Sequence, residues 1–284
     1  MVLLPKLSPR PRDVDFELIR KVGRFWHGPM KAYFRYQVDG FENVPDGRAL
    51  LVSVHNGGIL PVDSFILGSA FYRHFEYKRP LHYLGHDILW KLPSKGVDLL
   101  ERLGAVHGNH AHATAVLEDE RALCVYPGGA WEVYRPFRHR NKIDWNGHVG
   151  YIRLAVKNRA PVVPVPSVGA HETFVVLTRG EFVMKLLPLD GILRGVHGIP
   201  FALGFPWGLS IGPFPLHIPL PAQISIRAME PMELHNLPAG RALFRGNPKG
   251  DPDKLRELHR MVQQKVQQGM DELNVGRVPF LGRI

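Results

Sequence analysis

The sequence predicts an α/β fold with a central mixed, mostly parallel sheet that is flanked by helices. Short apolar runs rich in β-branched residues alternate along the chain with longer segments of helical periodicity. Several of these runs are apolar at every position, which is typical of strands covered on both faces. The chain has 284 residues, of which 45% are hydrophobic, and is long enough for one large core. We therefore predict a single domain over residues 1–284.

The first 38 residues are predicted to form an amphipathic helical segment. Apolar residues recur at helical spacing from Val14 to Phe34, and Gly28-Pro29 is expected to divide this stretch into two helices. The opposite face carries basic residues, which are Arg20, Lys21, Arg24, Lys31 and Arg35. Such a segment with Trp and Phe can lie in a membrane interface, or it can pack on the domain with a solvated basic face. Both interpretations stay open.

The central region, residues 41–230, alternates between predicted strands and helices. The predicted strands, including one that precedes this region, cover 36–38, 49–54, 104–106, 121–126, 161–165, 174–178 and 223–228. The predicted helices cover 62–75, 111–119 and 148–158, and a short strand and a helix are expected within 81–103. An amphipathic C-terminal helix over 251–273 is predicted to begin at a cap formed by Asp251 or Asp253.

A candidate catalytic pair lies within the stretch 49–63. The apolar strand ends at His55, and a flexible turn follows that consists of Asn56, Gly57 and Gly58. Pro61 is suited to the start of a helix, so Asp63 falls in that helix's first turn. A carboxylate that accepts the proton of one imidazole nitrogen makes the other nitrogen a better base. We therefore predict that His55 and Asp63 are catalytic, at a strand end where ligands of α/β sheets bind.

The strand at 121–126 ends in a second glycine turn, formed by Gly128 and Gly129. The backbone N–H groups of such a turn can stabilise an oxyanion or a phosphate. Polar residues follow the turn, namely Glu132, Arg135, Arg138, Arg140 and Lys142. The later members of this run can bind the phosphates of a carrier thioester, or they can form a solvated loop. The predicted substrate-binding set is Asn56, Gly57, Gly58, Gly128, Gly129, Glu132, Arg135 and Arg138.

The net charge of +10 and the pI of 9.8 indicate an anionic partner: a phospholipid surface, a nucleic acid or a phosphorylated ligand. Aromatic residues are not interleaved with Lys and Arg, which argues against nucleic acid. The single cysteine, Cys124, excludes an intramolecular disulfide and lies in an apolar run typical of a buried structural thiol. No signal peptide is expected, so we predict a cytoplasmic protein.

No metal site is predicted. His107, His110 and His112 lie close together in the sequence, but no carboxylate or cysteine accompanies them at ligand spacing.

The segment 195–226 contains no Asp, Glu, Lys or Arg. Its six prolines and five glycines exclude a continuous membrane-spanning helix. One interpretation is a buried irregular lid over the core. The other is a lid that lines an acyl tunnel or enters the bilayer, in which case Phe205, Trp207 and Phe214 are the membrane or acyl contacts.

Four blocks of sequence, in this order, resemble the motifs of the glycerolipid acyltransferase superfamily, which includes lysophosphatidic acid acyltransferases. The blocks are HNGGILPVD at 55–63, LGAV at 103–106 leading to Asn109, YPGGAW at 126–131 and APVVPV at 160–165. The first motif usually has four residues between His and Asp. Here there are seven, as in a bacterial branch with an expanded Gly-rich loop.

The third block departs from the family pattern. Gly128 stands where the family usually has Glu, and Trp131 where it usually has the Arg associated with the phosphate of the acceptor. The string GGAWE at 128–132 also resembles neutral-lipid acyltransferases that use mono- or diacylglycerol.

The resemblance implies an O-acyltransferase that moves a fatty acyl group from acyl-CoA or acyl carrier protein to a glycerolipid hydroxyl, as in lysophosphatidic acid. A neutral acceptor is the alternative, and a thioester or lipid hydrolase is a further one. No cofactor is expected. We predict a peripheral protein on the cytoplasmic side of a membrane, with the phospholipid surface and the acyl carrier as partners and no nucleic acid.

Overall fold

The computed structural model describes residues 10–55, 57–58, 60–182, 198–212 and 217–283. The strands, numbered in chain order, are β1 (Gln37–Asp39), β2 (Ala49–Ser53), β3 (Leu81–Gly85), β4 (Ala105–His107), β5 (Ala122–Val125), β6 (Val162–Val165), β7 (Ser167–Val168), β8 (Val175–Thr178), β9 (Phe201–Gly204), β10 (Gly208–Ile211), β11 (Ser225–Arg227), β12 (Arg277–Val278) and β13 (Gly282–Arg283). The α-helices are α1 (Phe16–Phe34), α2 (Val62–His74), α3 (Ser94–Arg102), α4 (His110–Glu118), α5 (Gly129–Val133), α6 (Gly150–Lys157), α7 (Pro238–Ala242) and α8 (Pro252–Asn274).

Five of the strands form a parallel sheet in the order β4-β3-β5-β2-β6. Every residue of β2 is buried. Leu50 and Val52 belong to the hydrophobic cluster on one face of the sheet, whereas Ala49 and Leu51 belong to the cluster on the other. Coverage of both faces explains why this strand is apolar throughout, and the predicted α/β class is confirmed. Cys124 of β5 is buried, as predicted.

Helices cover both faces of this sheet. Residues of α4, α6 and α8 form much of one hydrophobic cluster, and residues of α1 and α2 contribute to the other. The predicted C-terminal helix is confirmed as α8. Asp251 is its N-cap, because the Asp251 carboxylate accepts hydrogen bonds from the N–H groups of Asp253 and Lys254 at 2.9 and 3.2 Å.

The N-terminal segment forms one helix, and the prediction of two helices divided at Gly28-Pro29 is wrong. α1 continues through Pro29. A proline inside a helix removes one hydrogen bond and crowds the preceding turn, which costs about 3 kcal/mol. Ile19 and Phe34, which lie on either side of Pro29, are both buried in the same hydrophobic cluster. This burial anchors both halves of α1 and offsets the cost.

The apolar residues of α1 form two stripes. Ile19, Met30 and Phe34 pack on the domain. A second stripe is exposed to solvent, and its members are Val22, Phe25, Trp26 and Tyr33. No helix within the described ranges is both long and apolar enough to cross a membrane.

Strands β8, β9 and β10 form an antiparallel sheet, hereafter the hairpin sheet. Its inner face carries small residues because Phe174 packs beneath it. A Cβ on Gly204, for example, would lie only 2.6 Å from Cε2 of Phe174. Its outer face carries large apolar residues that are 42% to 62% exposed, namely Leu177, Leu203, Leu209 and Ile211. The expectation of an irregular lid is therefore wrong for residues 198–212, where large and small residues alternate with the period of a strand. Phe214 lies outside the described residues.

Candidate active site

The pairing of β2 with β5 places the two predicted turns next to each other. The strands are parallel neighbours, and Val52 lies opposite Val125. His55 comes three residues after this register position on one strand, and Gly128 three residues after it on the other. Because the carboxyl ends of parallel strands meet at the same edge of a sheet, both motifs contribute to one site.

His55 and Asp63 face each other across the first turn. His55 Nδ1 lies 3.8 Å from Asp63 Oδ2. Asp63 is buried in the first turn of α2, and its Oδ1 accepts hydrogen bonds from the N–H and the hydroxyl of Ser64 at 2.6 and 3.2 Å. The His–Asp contact is longer than a hydrogen bond, as catalytic contacts often are without substrate. Since Nδ1 is buried and the side chain is 21% exposed, Nε2 is the nitrogen that can meet a substrate.

The second turn holds His55 in place. The His55 ring stacks on Tyr126, with 4.3 Å between ring centroids and 19° between the ring planes. The Tyr126 hydroxyl is buried, and this burial raises its pKa, so the phenol is neutral. The backbone N–H of His55 donates to Glu132 Oε2 at 3.0 Å. Both the ring and the backbone of the candidate base are thus positioned by residues that follow β5.

Glu132 is fully buried and pairs with Arg135. Arg135 Nη1 lies 2.8 Å from Glu132 Oε1, and Arg135 is 2% exposed. Burial raises the pKa of Glu132 and lowers that of Arg135, while the charge of each partner opposes the shift of the other. Arg135 also donates to the Arg140 carbonyl at 3.1 Å, and its own carbonyl accepts from His171 Nε2 at 2.6 Å. The Glu132–Arg135 pair therefore supports the backbone of His55, and Arg135 itself is buried inside the protein.

The backbone N–H groups of Gly58, Gly128 and Gly129 differ in whether they already donate a hydrogen bond. The N–H groups of Gly58 and Gly129 donate to backbone carbonyls at 3.3 and 3.1 Å. The N–H of Gly128 has no hydrogen-bond acceptor among the described residues. A Cβ on Gly128 would lie 2.7 Å from Glu132 Oε2, so only glycine fits beside that carboxylate. Of these three groups, the Gly128 N–H is the one free to stabilise an oxyanion.

The other predicted site residues lie further out or outside the described ranges. Asn56 is not among the described residues. Arg138 is exposed in the short 3₁₀ helix Phe137–His139. Phe205 and Trp207 are 58% and 59% exposed at the turn between β9 and β10. Their roles in binding substrate or membrane remain predictions.

The structure adds two residues that the sequence patterns did not single out, Asp144 and Arg179. Trp131 Nε1 donates to Asp144 Oδ2 at 2.7 Å. The Arg179 guanidinium lies 3.9 Å from the centre of the Trp131 ring, and its Nη2 is 2.9 Å from Asp144 Oδ2. These residues are 13 and 48 positions from Trp131, so no local pattern could have identified them.

The histidine-rich stretch after β4 is organised by Asn109. The Asn109 side chain caps α4 by accepting from the His112 N–H at 2.8 Å. Its amide nitrogen lies 3.0 and 2.8 Å from Nδ1 of His107 and His112. Across the described part of the chain, no three potential metal-ligating side chains form a group.

Comparison with known proteins shows which family the chain resembles. Residues 35–168 match the family model described as Acyltransferase. The fold is similar to that of the 1-acyl-sn-glycerophosphate (LPA) acyltransferase PlsC from Thermotoga maritima, with a TM-score of 0.53 and 17% identity, over 90% of this chain and 80% of that chain. The chain is thus similar to the Acyltransferase family over residues 35–168, and its fold is similar to that of a solved acyltransferase. The region matched by the family model includes both turns of the site, and the match supports the prediction of an acyltransferase.

Two relatives of this chain are informative. An uncharacterized protein of Mycobacterium tuberculosis is 28% identical over 92% of this chain and 66% of its own length. A Mus musculus protein named "DGAT1/2-independent enzyme synthesizing storage lipids" is 24% identical over 55% of this chain and 45% of its own length. The chain thus spans less than two thirds of the length of each relative.

Proposed function

We propose that this chain transfers a fatty acyl group from acyl-CoA or acyl carrier protein to a hydroxyl of a glycerolipid, with His55 as general base. The observation that carries the proposal is the buried Asp63 carboxylate 3.8 Å from Nδ1 of the partly exposed His55, at the binding edge of the sheet. A carboxylate at this position favours the tautomer in which Nδ1 carries the proton and Nε2 is free to accept one.

The proposed reaction is a direct transfer. His55 Nε2 takes the proton of the acceptor hydroxyl while that oxygen attacks the thioester carbonyl carbon. The tetrahedral intermediate collapses when the C–S bond breaks, and the imidazolium returns the proton to the departing thiolate. Asp63 stabilises the imidazolium in between. The products are an ester and a free thiol, and no covalent enzyme intermediate is needed.

Charge in the tetrahedral intermediate develops on the former carbonyl oxygen. We assign its stabilisation to the Gly128 N–H, which is free of other acceptors in the described part of the chain and lies beside the carboxylate that holds His55. A preorganised backbone donor of this kind stabilises a developing oxyanion without reorganisation during the reaction.

The ion pairs around the second turn favour a neutral acceptor over lysophosphatidic acid. Arg135 is buried against Glu132 at 2.8 Å, and Arg179 pairs with Asp144 at 2.9 Å. Arginines that are already neutralised offer little net attraction to an acceptor phosphate. The name of the mouse relative, which refers to storage lipids, supports the same choice. We therefore propose mono- or diacylglycerol as the acceptor.

An acyl-transfer assay tests this proposal. Purified protein is given labelled palmitoyl-CoA and, separately, lysophosphatidic acid, other lysophospholipids, monoacylglycerol or diacylglycerol. We expect labelled ester with the neutral acceptors and at most a tenth of that rate with lysophosphatidic acid. Ester formed only with phosphate-bearing acceptors would contradict the neutral acceptor. Release of free fatty acid without ester would indicate a hydrolase instead.

Peripheral attachment to the cytoplasmic side of a membrane is part of the proposal. The Tyr33 hydroxyl donates to the Pro219 carbonyl at 2.8 Å, and the adjacent Ile218 N–H donates to the Phe205 carbonyl at 2.8 Å. These contacts join the exposed stripe of α1 to the turn of the hairpin sheet. A joined apolar surface of this kind is typical of proteins that enter the membrane interface.

Basic residues flank this surface. Lys21 and Arg24 are exposed on α1. Such residues add attraction to anionic headgroups.

Replacement of both Phe205 and Trp207 by Ser is expected to weaken vesicle binding by about tenfold or more. Each side chain would lose the apolar burial that a membrane provides, which is worth about 1.5–3 kcal/mol for a large apolar residue. Flotation with phosphatidylglycerol-containing vesicles measures the effect. The control is the double variant Leu92→Ser and Leu99→Ser, whose side chains are 46% and 44% exposed elsewhere on the surface. Equal flotation of both folded variants would rule out this contact.

A further inference from the structure

His217 is a buried histidine whose two ring nitrogens both lack a hydrogen-bond partner in the described part of the chain. It is 4% exposed, so bulk water does not hydrate it. The other buried histidines among the described residues each have a polar atom within 3.4 Å of a ring nitrogen, and these are His82, His112, His171 and His259. Buried polar groups are normally hydrogen-bonded, so the exception requires an explanation.

The His217 ring is directed at the catalytic turn. A Cβ on Gly58 would lie 2.6 Å from His217 Cε1 and 2.8 Å from His217 Nε2. The ring also packs on Phe174, with 4.3 Å between ring centroids, and Phe174 Cγ would lie 3.0 Å from the same Cβ. Gly58 follows His55 by three residues, so this imidazole lies against the loop that connects the candidate base to its carboxylate.

The backbone next to His217 is fixed on both the hairpin sheet and the core. The Ile218 N–H donates to the Phe205 carbonyl at 2.8 Å, and the Leu220 N–H donates to the Thr173 carbonyl at 2.7 Å. His217 therefore lies where the apolar sheet proposed to meet the membrane adjoins the catalytic turn.

The chemistry of the ring suits a neutral hydroxyl. Burial lowers the pKa of His217, so the imidazole is neutral and has one N–H donor and one acceptor nitrogen. A hydroxyl likewise both donates and accepts. A phosphate accepts only and would favour a cation instead.

We infer that His217 is a positioning residue that hydrogen-bonds the non-reacting hydroxyl of a glycerol acceptor. This inference rests on the proposed acyl transfer and assigns it a substrate class, a monoacylglycerol that retains a second free hydroxyl. The contact orients the glycerol so that the other hydroxyl faces His55, and it provides the partner that the buried ring otherwise lacks.

The test compares two acceptors with palmitoyl-CoA as donor: 2-monooleoylglycerol, which has a second hydroxyl, and oleyl alcohol, which has none. We expect His217→Phe to lower kcat/KM for the monoacylglycerol by about 3- to 10-fold, mainly through KM, and to leave that for the alcohol unchanged. His217→Asn restores a hydrogen-bonding group and should keep the wild-type preference within about twofold. His259→Phe removes an imidazole of similar burial, 6% exposed, and should not change the preference.

An equal loss for both acceptors, or no loss for either, would overturn the role of His217. Absence of His55-dependent transfer to both acceptors in the wild-type protein would instead refute the proposed function itself. A second measurement does not depend on the folding of His217→Phe. Nitrogen-15 spectra of the wild-type histidines, assigned with His217→Asn, should show a shift of the His217 ring resonances on addition of 1-O-octadecylglycerol in detergent. Unshifted His217 resonances at saturating ligand would also overturn the inference.

Discussion

Replacement of His55 by Ala should lower the rate of acyl transfer by about 10²- to 10⁴-fold, which is the usual contribution of a positioned general base. The effect should appear in kcat, because the imidazole acts on the proton in the transition state and contributes little to ground-state binding. The substitution also removes the stacking on Tyr126 and the 3.8 Å contact with Asp63, but no hydrogen bond of the His55 backbone, so the protein should stay folded. A continuous assay of thiol release together with thermal unfolding measures both quantities.

The matched control is His235→Ala. The His235 side chain is 20% exposed and lies 3.4 Å from Glu233, so it resembles His55 in burial and in having a carboxylate neighbour. It belongs to the 3₁₀ helix Leu234–Asn236, away from either turn of the site. Near-normal turnover by the His55 variant, or an equal loss in the His235 variant, would refute the assignment of the base.

Asp63→Asn separates the role of the carboxylate from that of the base. The amide oxygen can still accept the hydrogen bonds from Ser64, so the start of α2 is preserved. It no longer provides the negative charge that stabilises the imidazolium 3.8 Å away. We expect a loss of turnover of the same order as for His55→Ala, and combining the two substitutions should cause little additional loss because the residues act as a unit.

The features of the site that could be predicted from the sequence are those formed by residues of the same turn. His55 and Asp63 are separated by seven residues that include a glycine turn and a proline. This local pattern predicts that the two side chains lie on either side of one turn. The central strands could also be predicted, because β2 and β5 are buried on both faces and are therefore apolar at every position. Their neighbouring positions at one edge follow from the general rule on parallel strands.

The parts that could not be predicted depend on contacts between distant segments. An arginine that follows a glycine turn was expected to be exposed and to bind phosphate. Arg135 is instead buried, because Glu132, the Arg140 carbonyl and His171 surround it. The hairpin sheet could not be predicted, because its large apolar residues face outward instead of into the core. Its inner positions are small because Phe174 fills the space beneath them. His217 has no local motif at all, and only the packing of its neighbours on the catalytic turn identifies it.

Replacement of Glu132 by Ala should have the largest effect on stability. It removes the partner of Arg135, which is 2% exposed and would remain as an uncompensated buried cation. Breaking a buried ion pair at one partner typically lowers the free energy of unfolding by about 3–5 kcal/mol. The same change removes the acceptor of the His55 backbone N–H, so the candidate base also loses its anchor. Urea unfolding at pH 7 measures the first effect and the transfer assay the second.

The double variant Glu132→Leu with Arg135→Met distinguishes the two roles of this carboxylate. Replacing both partners by apolar residues of similar volume leaves no unpaired charge, so most of the lost stability should return. Turnover should nevertheless stay low, because a leucine cannot accept the His55 N–H and the base remains unanchored. A double variant with both wild-type stability and wild-type turnover would show that Glu132 only balances the charge of Arg135. Recovery of stability without recovery of turnover would establish Glu132 as the residue through which the second turn holds the base.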